Sequence, residues 1–287
     1  MRLLVSNITP DRIDTVRLVL TSMGIASSTS ASDRGFDVWV DASDHAAAVR
    51  AIEQYLAENP LTDENASARF DYLRNTSGLW VAAGLLAFQV LLVGDRPSVT
   101  LVQSWGASAS AIVDGELYRS ATALLLHANP GHLAANMAGL ALFGSAACSI
   151  VGIGVGWLLI LLAGVGGNLA NALLYQTGHL SIGASTAVFG SIGVLAGQQF
   201  VVKYRAPLQR WRAWLPLGGG LALLAMLGSS PFTDVAAHAC GLLVGTALGA
   251  GWAVAIRHRL RWPAQVVALA AAAAILALAW ARALEAY

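Results

Sequence analysis

Between Ser120 and Val202 the chain carries not one Asp, Glu, Lys or Arg. A run of that length cannot keep itself in water, and the hydrocarbon of a bilayer solvates it instead. The rest of the composition agrees: 11% of the 287 residues are charged, against about 25% in ordinary soluble domains. The fold class is therefore a polytopic α-helical membrane protein. Seven spans of about 20 residues each are expected near 77–94, 130–149, 155–176, 184–202, 212–228, 234–256 and 263–283. Basic residues cluster after the fourth span (Lys203, Arg205, Arg210, Arg212) and after the sixth (Arg257, Arg259, Arg261), which assigns both loops to the cytoplasm. The N-terminus is then cytoplasmic, and the second, fourth and sixth spans all run inward from the outer side.

About half of the charged residues precede Asn75, so residues 1–60 are expected to form a separate soluble α+β domain of order βαβα. Arg2 to Ile8 is an apolar run, and Thr9-Pro10-Asp11 opens a helix with Ile13, Val16 and Leu20 at helical spacing. Phe36, Val38 and Val40 alternate with polar neighbours as a strand, and Ser43-Asp44 opens a helix carrying Val49, Ile52, Tyr55 and Leu56. The unit has no catalytic constellation and reads as a docking or regulatory domain. Residues 61–76 are a linker, 77–256 the six-helix core, and 257–287 a cytoplasmic loop and a seventh helix without a site candidate. Met1 to Val5 leads at once into polar residues, so no cleavable signal peptide is expected. Cys148 and Cys240 lack metal-ligand spacing and read as small buried hydrophobes; no metal or organic cofactor is implied. A net charge of +1 without a basic block argues against nucleic acid as a partner.

The polar residues at the outer ends of the three inward-running spans invite chemistry. His127, His132 and Asn136 open the second, Ser185 the fourth, and Asp234 and His238 the sixth. His132 and Asn136, four apart, share a helix face. Glycines at 241, 245 and 249 form a stripe on the sixth span, and glycines at 190, 193 and 197 form one on the fourth. Small residues so spaced let transmembrane backbones approach closely. If the stripes meet, Ser185 and His238 lie together at the outer end. Ser185 is then a packing residue or a nucleophile with His238 as its base. Asp234 reads as an N-cap of the sixth span.

Gly183-Ala184-Ser185 leading to Gly190, His132 and Asn136 with His127 upstream, and Ala237-His238 leading to Gly241 and Gly245 resemble the signature of rhomboid intramembrane serine proteases. The resemblance covers residues 77 to 256. It implies a six-helix rhomboid-like bundle in the cell (inner) membrane whose active site, near the outer face, cuts transmembrane protein substrates within or beside their membrane segments. Ser185 corresponds to the nucleophile and His238 to the base of a dyad. His132, Asn136 and Ser185 would form the oxyanion hole, with Gly183, Phe189, Gly241 and His127 in support. Glu116 and Arg119 resemble a structural element of the family's first outer loop, with Tyr118 in place of its tryptophan. Thr186 stands where the family more often has glycine, a position from which it can crowd the oxyanion site or narrow substrate choice. Phe189 stands for tyrosine and can still stack under the His238 ring. The residues 228–234, with Pro231 and Phe232, are expected to cap the site, and the fifth span to move to admit substrate. Two alternatives stay open: an inactive rhomboid-like protein that binds membrane clients, and a transporter, against which the lack of a polar trail to the cytoplasm counts. Oligomeric state is not legible.

Overall fold

The structure, a computed structural model, describes residues 1–8, 10–32, 35–59, 75–205, 207–227, 234–256 and 259–286. The chain forms two compact units, residues 1–68 and 69–287.

In the first unit the order is β1 (Arg2–Ile8), α1 (Pro10–Ser22), β2 (Ser27–Ser32), β3 (Gly35–Val40) and α2 (His45–Glu58). This corrects the expected βαβα to βαββα. The added strand reads Ser-Ser-Thr-Ser-Ala-Ser and has no apolar alternation to announce it. It forms because its backbone pairs with β3 along its whole length, Ser27 opposite Val40 through Ser32 opposite Gly35, while most of its side chains stay in solvent. The sheet is antiparallel throughout, in the order β1-β3-β2. Central β3 therefore supplies the core: Val38 and Val40 are fully buried with Leu20 and Ala48, and Ile13, Val16 and Ile52 pack against them. The expected linker 61–76 lies almost wholly outside the described residues.

The second unit is helical. We label its long helices α3 (Ser77–Phe88), α4 (Pro130–Val151), α5 (Ile153–Tyr175), α6 (Ser185–Arg205), α7 (Trp214–Leu227), α8 (Val235–Ala255) and α9 (Trp262–Glu285). Five of them, α4, α5, α6, α8 and α9, are long and apolar enough to cross a membrane by length and composition. The protein is thus a multi-pass membrane protein. α3 is shorter and continues through one π-turn to Val93. α7 is 14 residues long and follows a 3₁₀ turn at Pro207–Ala213.

The long connection after α3 is built rather than loose. It holds short helices at Val99–Trp105 and Ala109–Val113 and a turn from Arg119 to Leu125. Arg119 ties these pieces together: its Nε donates to Glu116 Oε2 at 2.5 Å and its Nη1 to the Gln103 carbonyl at 2.6 Å. The Tyr118 hydroxyl donates to the same Glu116 oxygen at 2.9 Å. The Arg119 hydrogen bond, against a smaller opposing effect of burial, holds the Glu116 carboxyl below its ordinary range.

α9 is attached near both ends. Gln265, buried on its first turn, donates to the Val151 carbonyl at 3.1 Å and accepts from the Val155 amide at 3.0 Å. These are backbone groups left open where Gly152, at φ +98°, separates α4 from α5. At the other end Trp280 packs on Trp105 and Phe88, with ring centroids 4.9 and 5.1 Å apart.

α6 and α8 make the closest helix contact, backbone against backbone. A β-carbon on Gly241 would strike the Thr186 carbonyl oxygen, one on Gly245 the Gly190 oxygen and one on Gly249 the Val194 oxygen. From α6, β-carbons on Gly193 and Gly197 would strike the Leu242 and Thr246 carbonyls. Each step of four on one helix answers a step of four on the other in the same direction, so the helices are parallel and in register. The expected glycine seam is present.

Candidate active site

Four elements bring the candidate residues to one end of the α6–α8 pair. α6 starts at Ser185, where the Val188 amide bonds back to the Ala184 carbonyl at 2.9 Å. The free amides of that first turn and the positive end of the helix dipole point toward the preceding loop. Entry into the helix depends on Gly183, whose φ of +120° suits no other residue. Its amide donates to the Ala123 carbonyl at 2.9 Å.

His132 and Asn136 do converge on one place, and that place is Gly183. A β-carbon there would lie 2.5 Å from His132 Cε1, 2.6 Å from His132 Nε2 and 3.5 Å from Asn136 Nδ2. Both side chains thus flank the backbone two residues before Ser185. α4 is started for this by Asn129, whose Oδ1 accepts from the His132 amide at 2.9 Å, and by Pro130. His127 is fully buried and stands edge-on to the His132 ring at 5.3 Å. Its carbonyl accepts from Gln89 in the π-turn of α3, at 3.3 Å.

From the other side His238, 4% exposed on the first turn of α8, stacks on Phe189 with centroids 4.6 Å apart and planes 25° from parallel. Phe189 is one turn beyond Ser185 on the same face of α6. The Gly241–Thr186 crossing fixes the level of both helices, so Ser185 and His238 fall within about a turn of each other along the pair. Ser185 itself is half-buried.

Asp234 is the N-cap of α8: its Oδ1 accepts from the Ala237 amide at 3.0 Å. Oδ2 accepts from Asn171 Nδ2 at 3.0 Å and meets His179 Nε2 at 2.6 Å. Burial alone would raise the Asp234 carboxyl; the Ala237 amide and His179 together outweigh it and hold the group below its ordinary range. The carboxylate thus joins the loop before α6 to the start of α8.

Of the two effects expected of Thr186, the structure bears on crowding. The Thr186 side chain is turned away from His132 and Asn136 into the core, where Oγ1 donates to Asn168 Oδ1 at 2.8 Å and Cγ2 lies against Gly167 and Gly241. It does not crowd the region beside Gly183. Asn168, Asn171 and Gln89 escaped the sequence reading, although amides inside otherwise wholly apolar spans were a usable signal. The expected cap at residues 228–234 lies, apart from Asp234, outside the described residues.

Set beside other proteins, residues 114–255 match the family model described as "Rhomboid domain". Similar curated proteins include "RHOMBOID-like protein 6, mitochondrial" of Arabidopsis thaliana, 33% identical over 158 residues, which is 53% of this chain and 50% of that protein. "RHOMBOID-like protein 1" of the same plant is 31% identical over 58% of this chain and 43% of its own length. "Rhomboid protease GluP" of Bacillus subtilis (strain 168) is 33% identical over 134 residues, 46% of this chain and 25% of its own. The chain thus spans half or less of the length of these relatives.

Proposed function

The chain belongs to the rhomboid family, and on that premise we propose that it is an intramembrane serine endopeptidase acting through a Ser185–His238 dyad. His238 accepts the Ser185 proton as Oγ attacks the scissile carbonyl. The negative charge that develops on the carbonyl oxygen is met by the first-turn amides of α6 at Ser185 and by the side chains of His132 and Asn136. His238 then gives its proton to the leaving amine, and the acyl-enzyme is hydrolysed by a water for which His238 again serves as base. Ser–His chemistry of this kind requires neither metal nor organic cofactor.

The observation that carries the reading is the stack of Phe189 on His238 one turn beyond Ser185, with His132 and Asn136 against Gly183 on the other side. Buried histidine and asparagine at the end of an apolar bundle are costly as mere packing. The same reading takes residues 77–256 as a six-helix catalytic core with α9 as a seventh span, 1–60 as a cytoplasmic domain, and the site as opening near the outer face of the cell (inner) membrane. Substrates are transmembrane proteins whose helix must unwind to present a carbonyl, so small or helix-breaking residues near the cut are expected. α7, with Trp214, Leu221 and Met226 all more than half exposed, is the side on which substrate enters.

Purified protein in liposomes, incubated with a labelled transmembrane substrate, tests this. Wild type cleaves, and Ser185→Ala and His238→Ala do not. Cleavage by both variants rejects the dyad, and binding without cleavage by wild type favours the inactive client-binding protein.

A further inference from the structure

The turn that carries Ser185 is held on both sides by one segment, the turn from Arg119 to Leu125. Two residues before Ser185, the Gly183 amide donates to the Ala123 carbonyl at 2.9 Å. One residue after it, Thr186 Oγ1 donates to Asn168 Oδ1 at 2.8 Å, and Asn168 Nδ2 donates in turn to the Ser120 carbonyl at 2.8 Å. Thr186, Asn168 and Ser120 are each no more than 3% exposed, so water does not compete for these bonds. The 119–125 segment is itself anchored: Arg119 reaches Gln103 and Glu116, and Thr122 Oγ1 donates to the Trp105 carbonyl at 2.7 Å.

We infer that Asn168 and Thr186 are positioning residues that set the rotation of the first turn of α6, and with it the aim of the Ser185 hydroxyl. The amide of Asn168 is suited to the task because it accepts from one partner and donates to the other, so neither bond can slip without opening the second. The backbone tether at Gly183 fixes the height of the turn; the side-chain tether through Asn168 fixes its twist about the helix axis. Only a hydroxyl at position 186 closes the link, which makes Thr186 a structural partner of α5 where glycine would leave Asn168 Oδ1 open in the core.

The inference rests on Ser185 being the nucleophile, and its test has one readout that does not. In Thr186→Val, which keeps the shape and loses the hydroxyl, amide hydrogen exchange across residues 183–189 rises. The kcat for a transmembrane substrate falls about tenfold while KM stays within about twofold, and Thr186→Ser restores both exchange and kcat. Thr186→Ala, smaller and also without the hydroxyl, reproduces the loss if valine disturbs the fit against Gly241. Unchanged exchange in Thr186→Val and Thr186→Ala, unchanged kcat despite faster exchange, or a Thr186→Ser variant that behaves like valine overturns the inference. Cleavage that survives Ser185→Ala rejects the dyad instead, and the exchange data still decide whether the tether exists.

Discussion

α7 and α8 are both glycine-rich helices packed beside α6, yet their glycines do opposite things. In α8, Gly241, Gly245 and Gly249 recur every fourth residue, and each faces a carbonyl of α6 that a β-carbon would strike. In α7 the glycines are consecutive: β-carbons on Gly218 and Gly219 would meet nothing within 4 Å, and one on Gly220 would meet only side-chain carbons, of Leu242 at 3.3 Å and Ile192 at 3.5 Å. Spacing decides the outcome: a four-residue repeat puts every glycine on one stripe where backbones can close, whereas a run spreads them around the helix. The closed pair carries Ser185, Phe189 and His238, and the open helix carries no candidate residue. Bulk is therefore forbidden where the proposed chemistry needs precision and tolerated where a substrate is proposed to enter.

Gly245→Ala challenges the contrast hardest. The new methyl runs into the Gly190 carbonyl, and overpacking of this kind costs about 1–3 kcal/mol. The expected outcome is a markedly lower melting midpoint in detergent together with lost cleavage, and a wild-type melt would mean the seam is not backbone on backbone.

Asp234→Ala follows, since it removes the N-cap of the closed helix. It should cost about 1 kcal/mol for the cap, more if the contacts to His179 and Asn171 matter. The pH dependence has a definite sign. A carboxyl depressed in the folded state contributes fully above its ordinary value of about 3.9 and loses that contribution as pH falls through the lower folded value. The stability gap between wild type and Asp234→Asn should therefore close below about pH 4; a gap that widens in acid contradicts the assignment.

A smaller effect is expected from Phe189→Leu, which keeps apolar volume and removes the ring under His238. An aromatic stack is worth about 0.5–1.5 kcal/mol, so kcat should fall by about threefold to tenfold with little change in melting. Smallest is Gly219→Ala on the open helix. It should leave cleavage unchanged and stabilise by up to about 1 kcal/mol through helix propensity alone. A loss of stability as large as that of Gly245→Ala would erase the distinction between α7 and α8.

Which parts were legible in the sequence follows from how local each signal is. The helices from α4 onward announced themselves by sustained apolarity, and the α6–α8 seam by its repeat, because both depend only on spacing along one element. The cap at Asp234 was legible for the same reason. β2 was not, since a strand of serines owes its existence to the edge of β3 rather than to its own pattern. The direction of the Thr186 side chain was also out of reach: it is next to Ser185 in sequence, but where it points depends on how α6 is rotated against α5. The π-turns at Gln89–Val93 and Leu140–Gly144 shift the facing of residues along α3 and α4, which a regular helical period does not anticipate. Gln89 reaches the His127 carbonyl from the first of them.

The most direct measurement is covalent labelling of the liposome-embedded protein with a fluorophosphonate, followed by mass spectrometric mapping of the adduct. The account predicts one adduct on Ser185, absent in Ser185→Ala and strongly reduced in His238→Ala, because a serine hydroxyl without its base is a weak nucleophile. An adduct on another residue, or labelling of Ser185 that is indifferent to His238, would contradict it.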